Sequence, residues 1–293
     1  MITSARHFYS NSVLAAPFDR ADVLAGRVIR ISPALITIID GRLATTAPGE
    51  LRRNVLDHAW ALLKGGIRSL HIDINFDDYG GFGADGPGSN VEVFTPAFVK
   101  ALAEMAAQHG GYVTLHLLTD APERHLPAFA RIPLGAVCFQ LDAVAHAARL
   151  AAFVTQIRAM GACASPVIET VGTPQRDPLP PDAVRALLAP VLSQIGMLTL
   201  QAAGTAARSN VPAGAFARER VADYLACLTP GFNGTVQIQG GITTETAGAA
   251  ATLGAEFLVV GTQLFRQEGR DPQHVIDAML AAAASALMAA GGE

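Results

Sequence analysis

From Val28 onward, short β-branched and aliphatic runs alternate with stretches whose apolar residues recur at helical spacing. βα units around a parallel sheet produce this alternation, because their strands are buried on both faces and the helices covering them are apolar on one side. Eight candidate strands fall near 28–38, 69–74, 112–117, 136–140, 164–168, 197–200, 235–239 and 257–260, each followed by a stretch of helical length. Thr95-Pro96 and Asp271-Pro272 set an N-cap side chain before a proline in the first turn, and Asp120 to Glu123 reads as a capping box. Near-even spacing, with no GxGxxG after the first strand, favours closure into a single α/β domain, a (β/α)8 TIM barrel, over an open doubly wound sheet. Residues 1–26 show no strong period and read as an N-terminal extension that packs over the barrel or over a neighbouring subunit of a homo-oligomer. The barrel then occupies 27–293 and ends in an alanine-rich helix.

Composition narrows the range of functions. Of the 293 residues, 51% are hydrophobic and 16% charged, enough apolar material for one large core and too little charge for a disordered chain. The net charge of -4 gives no general attraction to nucleic acid or to an acidic membrane. Cys138, Cys163 and Cys227 are widely separated and lack CxxC spacing, which fits reduced core thiols in the cytoplasm. Val13 to Pro17 is too short for a signal-peptide core, and the run Ala278 to Ala290 is too short to cross a bilayer.

The candidate chemistry lies at strand ends. His71 and Asp73 are two apart on one strand and point to the same side, toward the barrel mouth, and His116 stands at the same depth of the next strand. Two imidazoles and a carboxylate suit a divalent transition metal such as zinc, iron, manganese or cobalt. Either histidine alone reads as a polar core residue satisfied by a neighbour. Asp73 shifts the balance, because a carboxylate among apolar neighbours is costly to bury without a partner.

Near the C-terminus, Gln239-Gly240-Gly241 and Val260-Gly261-Thr262 end the seventh and eighth strands. Glycines there let backbone N–H groups approach a ligand, and barrels often bind phosphate at this place; two ordinary glycine turns would look the same. Two loops stand out: Asn75 to Asn90, rich in glycine and aspartate and longer than a usual connection, reads as a lid or specificity loop, and Gln201 to Gly214, with Arg208 and Asn210, as a flexible gate.

Ile31 to Thr37, His71-Ile-Asp73, His116-Leu-Leu, Gln239-Gly-Gly-Ile and Gly254 to Phe265 resemble, in order, the motifs of the ribulose-phosphate 3-epimerase family over about Val28 to Leu280. The resemblance implies a barrel of the ribulose-phosphate-binding type. It also implies metal ligation by His71, Asp73 and His116, acid/base work by Asp73, phosphate binding by Gly240, Gly241, Gly261 and Thr262, and a sugar or sugar-phosphate substrate. The departures matter as much. Gln239 stands where the family has its second catalytic aspartate and fourth metal ligand, Thr37 replaces a serine, and Asn75 and Leu118 replace methionines lining the site. A glutamine amide cannot exchange a proton near neutral pH.

Three readings follow. The first is an epimerase or isomerase of another sugar, with the missing acid supplied by Glu169, Asp77, Asp78 or water. The second is a metal-assisted enolate reaction, such as carbon–carbon cleavage, that needs a single base. The third is a catalytically silent barrel that binds a ligand or a partner. Glu169 itself reads either as that acid or as one half of a structural ion pair.

Overall fold

A computed structural model describes residues 22–24, 27–80, 88–173, 176–204, 214–266 and 271–290. Its strands are β1 (Asp22–Leu24), β2 (Arg27–Pro33), β3 (Ser69–Asn75), β4 (Tyr112–Leu118), β5 (Ala136–Gln140), β6 (Cys163–Glu169), β7 (Met197–Gln201), β8 (Thr235–Gln239) and β9 (Phe257–Val260). From β2 to β9 the eight strands pair in parallel in the order β2-β9-β8-β7-β6-β5-β4-β3, and a bridge from Ala34 to His71 joins the two ends. The result is the expected (β/α)8 barrel. Around it run helices α1 (Pro48–Lys64), α2 (Pro96–Gln108), α3 (Pro122–His125), α4 (Ala147–Ala159), α5 (Pro181–Leu188), α6 (Arg218–Leu228), α7 (Ala247–Thr252), α8 (Thr262–Phe265) and α9 (Pro272–Ala290).

Three sequence expectations change. The first barrel strand stops at Pro33 rather than near 38; Leu35–Ile38 forms a 3-10 turn that buries Leu35 and Ile38, with Thr37 Oγ1 donating to Ala34 O at 2.7 Å. Ile36 to Ile39 reads as strand by β-branching, yet the turn buries Leu35 and Ile38, three residues apart, the spacing of a 3-10 turn. Within the N-terminal extension, β1 pairs antiparallel with β2, so that part of the segment belongs to the sheet. Asp120 does not cap α3: the N-cap residue is Ala121, without a side-chain bond, and Asp120 instead pairs with Arg176 at 2.8 Å and accepts from Gly80 N at 3.2 Å. Thr95 does cap α2, accepting from Phe98 N at 3.3 Å. Likewise, α9 starts at Pro272, with Gln273 N donating to Asp271 Oδ1 at 3.0 Å.

The alternation along each strand sorts the side chains. Leu70, Ile72, Ile74, Leu115, Leu117, Val137, Phe139, Leu198, Leu200, Ile238 and Leu258 are all buried and lie at the positions facing the helices. The opposite parity is polar to an unusual degree for a barrel interior, where branched aliphatic residues usually dominate. Ser32 Oγ lies 2.8 Å from Ser69 Oγ, Ser165 Oγ lies 2.7 Å from Thr199 Oγ1, and Gln237 Nε2 donates to Thr199 Oγ1 at 3.0 Å. Each of these groups is buried and bonded to a neighbouring strand, which offsets the cost of taking it out of water. The three cysteines are free; Cys138 lies in the core, whereas Cys163 and Cys227 are half-buried rather than core residues. By length and composition α9 could cross a membrane, but Val275, Ile276, Met279, Leu280, Ala283 and Leu287 form a buried stripe against the barrel layer.

Candidate active site

The ladder between β3 and β4 sets Asp73 opposite His116, and His71 precedes Asp73 by one inward position. Asp73 Oδ1 therefore faces both rings, 3.2 Å from His71 Nε2 and 2.8 Å from His116 Nδ1. One ligand atom from each residue lies within 4.8 Å of the others. Both histidines are buried, whereas Asp73 keeps 14% of its side-chain surface exposed. Burial would raise the Asp73 carboxyl, but the His71 charge and hydrogen bonds from His116 and His71 outweigh it and hold the group well below the usual carboxylate range.

This donor set fits a divalent transition metal. One carboxylate oxygen serves two imidazoles at once, and two nitrogens with one oxygen are an ordinary partial shell for zinc, manganese, iron or cobalt. Gln239 is the last inward residue of β8. Its Nε2 donates to Gln201 Oε1 at 2.7 Å, while its own Oε1 is buried without a partner among the described residues. A glutamine held this way offers a neutral oxygen and no exchangeable proton.

A chain of side chains leads from this cluster to a second carboxyl. His116 Nε2 lies 3.1 Å from Gln140 Oε1, and Gln140 Nε2 donates to Glu169 Oε1 at 2.7 Å and to Tyr79 OH at 2.9 Å. Burial pushes the Glu169 carboxyl up to about 7, with Asp142 adding to the rise and the Gln140 hydrogen bond and His116 opposing it. Burial, and then Glu169, raise the Tyr79 phenol, which stays neutral. Glu169 also lines a small open pocket with Asp142, Thr173, Arg176, Leu179 and Val184. Arg176 joins Asp142 (2.9 Å) to Asp120 (2.8 Å) and so ties together the loops that follow β4, β5 and β6.

Gln140, Tyr79, Gln201 and Arg176 were not singled out in the sequence. A usable signal existed for two of them, since Gln140 and Gln201 are polar residues at the last inward position of apolar strands, as Glu169 and Gln239 are. The other proposed acids are placed elsewhere: Asp77 is exposed, and Asp78 accepts from Thr119 Oγ1 at 2.6 Å and lies 3.1 Å from His125 Nε2.

The glycines have a structural use of their own. Gly240 and Gly241 take positive φ (85° and 68°), and a β-carbon on them would meet Gln201 Nε2 at 2.6 Å and Phe216 N at 2.8 Å. At Gly261 it would meet Thr37 Cγ2 at 2.6 Å. Thr262 is exposed and opens the single turn of α8. Protein atoms thus account for all three glycines, whether or not a phosphate also binds there. Asn75 is buried and its carboxamide has no hydrogen-bond partner among the described residues, while Asn90 pins the base of the loop after β3 by donating from Nδ2 to Asp73 O at 3.0 Å and accepting from Asn75 N at 2.9 Å. Residues 81–87 of that loop, and 205–213 of the gate with Arg208 and Asn210, lie outside the described residues.

No protein-family model matches the chain, and no curated protein matches it in sequence. Similar solved structures exist. Tryptophan synthase from Mycobacterium tuberculosis is 13% identical with a TM-score of 0.56, over 89% of this chain and 93% of that one. Tryptophan synthase subunit alpha from Legionella pneumophila is 15% identical with a TM-score of 0.55, over 90% and 95%. N-(5'-phosphoribosyl)anthranilate isomerase from Pyrococcus furiosus is 9% identical with a TM-score of 0.50, over 88% and 99%. At such identities the likeness establishes the fold, and the chain is a single TIM barrel.

Proposed function

We propose that this barrel catalyses metal-assisted proton transfer at a carbon beside a carbonyl, as an epimerase or isomerase of a sugar or sugar phosphate. His71, Asp73 and His116 would hold the divalent ion, with Gln239 Oε1 as a neutral fourth donor. When bound, the ion polarises the carbonyl and stabilises the charge that develops on its oxygen.

The observation that carries this reading is Glu169, a half-buried carboxyl pushed up to about 7 and tied through Gln140 to His116. A group ionising near the working pH both gives and takes protons well. Asp73 stays ionised and accepts the proton from carbon, and the C–H electron pair moves into an enediolate. Glu169 in its protonated form returns a proton to that carbon from another direction, because β6 stands three strands from β3 around the eight-stranded circle. Glu169 thereby replaces the acid that Gln239 cannot supply. Resetting the pair needs one proton moved from Asp73 to solvent and one from solvent to Glu169, and Tyr79 and Gln140 keep the second carboxyl oriented meanwhile.

The test is solvent-deuterium incorporation, read by mass spectrometry, over a panel of ketoses and ketose phosphates with added Mn2+, Co2+ or Zn2+. Wild type should both exchange and epimerise at least one member. Glu169→Gln should retain exchange and lose epimer formation by about 10²–10⁴-fold, and Asp73→Asn should lose both. Equal epimer formation by wild type and Glu169→Gln would refute the role given to Glu169.

A further inference from the structure

Gln140 is buried and makes three polar contacts, each with a different part of the site: His116, Glu169 and Tyr79. A carboxamide has one oxygen and one NH2, so its two ends cannot be chosen independently. With Nε2 turned to the Glu169 carboxylate and to Tyr79 OH, Oε1 is left facing His116 Nε2. An acceptor in that position requires a ring hydrogen on Nε2. With a metal bound, Nδ1, the nitrogen 2.8 Å from Asp73 Oδ1, would be the one directed at the ion, which would take the place of the hydrogen that Nδ1 gives Asp73 in the metal-free site. Turning the amide over would set its oxygen against the Glu169 carboxylate, an unfavourable contact, and would call for the opposite His116 tautomer, so the Glu169 carboxylate selects the amide orientation and with it the tautomer.

We infer that Gln140 is a positioning residue that fixes the tautomer of His116 and the ionisation of Glu169 with a single amide orientation. A ligating imidazole generally needs a partner on its second nitrogen to hold ring and tautomer, and a carboxylate needs donors to remain charged when buried. Here one side chain meets both needs. Glu169 is also faced by Asp142 and Arg176 across the pocket, by Tyr79 from the loop after β3 and by Tyr224 from α6. Among these contacts, Gln140 gives Glu169 its hydrogen bond at 2.7 Å. The part of the inference that concerns His116 rests on the metal centre proposed above; the part that concerns Glu169 does not.

Two near-isosteric variants separate the parts. Gln140→Glu keeps an acceptor for His116 Nε2 and removes the donor to Glu169, whereas Gln140→Met removes both. Zn2+ affinity is measured by chelator competition, and the Glu169 carboxyl is titrated by 13C NMR, using Glu169→Gln to assign its resonance. Gln140→Met should bind Zn2+ about 10–100-fold more weakly, and Gln140→Glu within a few-fold of wild type. Both variants should raise the Glu169 midpoint by roughly one unit. Unchanged midpoints in both variants would overturn the inference, as would equal Zn2+ affinity in wild type and Gln140→Met. If wild type takes up no Zn2+ at all, the metal reading fails by itself, and the midpoints still decide whether Gln140 governs Glu169.

Discussion

Gln239 gives its amide hydrogen to Gln201 Oε1 at 2.7 Å, joining the last inward positions of β8 and β7. A carboxylate at 239 would meet that oxygen as an unpaired charge. In the metal-free state, Gln239→Asp should therefore cost about 1–3 kcal/mol, seen as a melting point lower by a few degrees. Saturating Mn2+ or Zn2+ should recover most of the loss, because the new carboxylate becomes a ligand. A melting point that does not respond to metal would argue against a metal beside Gln239.

The same residue bears on the substrate. Wild type should turn over ribulose 5-phosphate slowly or not at all in a coupled assay, and Gln239→Asp should gain activity. On the proposed function, the reaction needs a second acid/base, and Gln239 cannot act as one. Turnover by wild type at an ordinary enzymatic rate, roughly 10 s⁻¹ or more, would show that this reaction does not need that aspartate here.

Glu169 gives a pH-dependent prediction. Its folded-state ionisation lies near 7, above the ordinary value of 4.5, so folding favours the protonated form. The associated stability is fully present below about pH 4.5 and is lost as the pH rises through 7. Glu169→Gln should remove this loss. Relative to wild type, the variant should gain on the order of 2 kcal/mol between pH 5 and pH 8, measured by urea unfolding at both values. A difference that does not change with pH would mean that Glu169 ionises normally.

Gly261 and Thr37 should prove energetically coupled. A β-carbon at Gly261 would stand 2.6 Å from Thr37 Cγ2, so Gly261→Ala should destabilise by about 1–3 kcal/mol through overpacking. Thr37→Ser removes that methyl and should recover part of the loss in the double variant. Strict additivity of the two substitutions would show that the neighbouring backbone absorbs the contact instead.

Much of the fold, and half of the candidate site, was legible because each rested on periodicity within one segment. His71 and Asp73 share a face by the two-residue repeat of a strand, and the boundaries of β5, β8 and β9 followed from runs bracketed by turn residues. The misreadings came from competition across the fold. Asp120 has the spacing of a capping residue, but Arg176, brought in by the loop after β6, offers its carboxylate a charged partner. Leu35 to Ile38 has strand propensity, yet burying Leu35 and Ile38 together needs a turn. Tyr79, Gln140 and Glu169 meet only because closure of the barrel brings positions 61 and 29 residues apart into contact, which no local pattern encodes.

The central claim is that His71, Asp73 and His116 form a metal centre, and metal content tests it most directly. Wild type and His116→Ala would be grown in metal-supplemented medium, dialysed together, checked for equal folding by circular dichroism, and assayed by elemental analysis. The account predicts about one divalent ion per wild-type chain and less than roughly a tenth of that in His116→Ala. Equal content in the two proteins, whether both loaded or both empty, would contradict it.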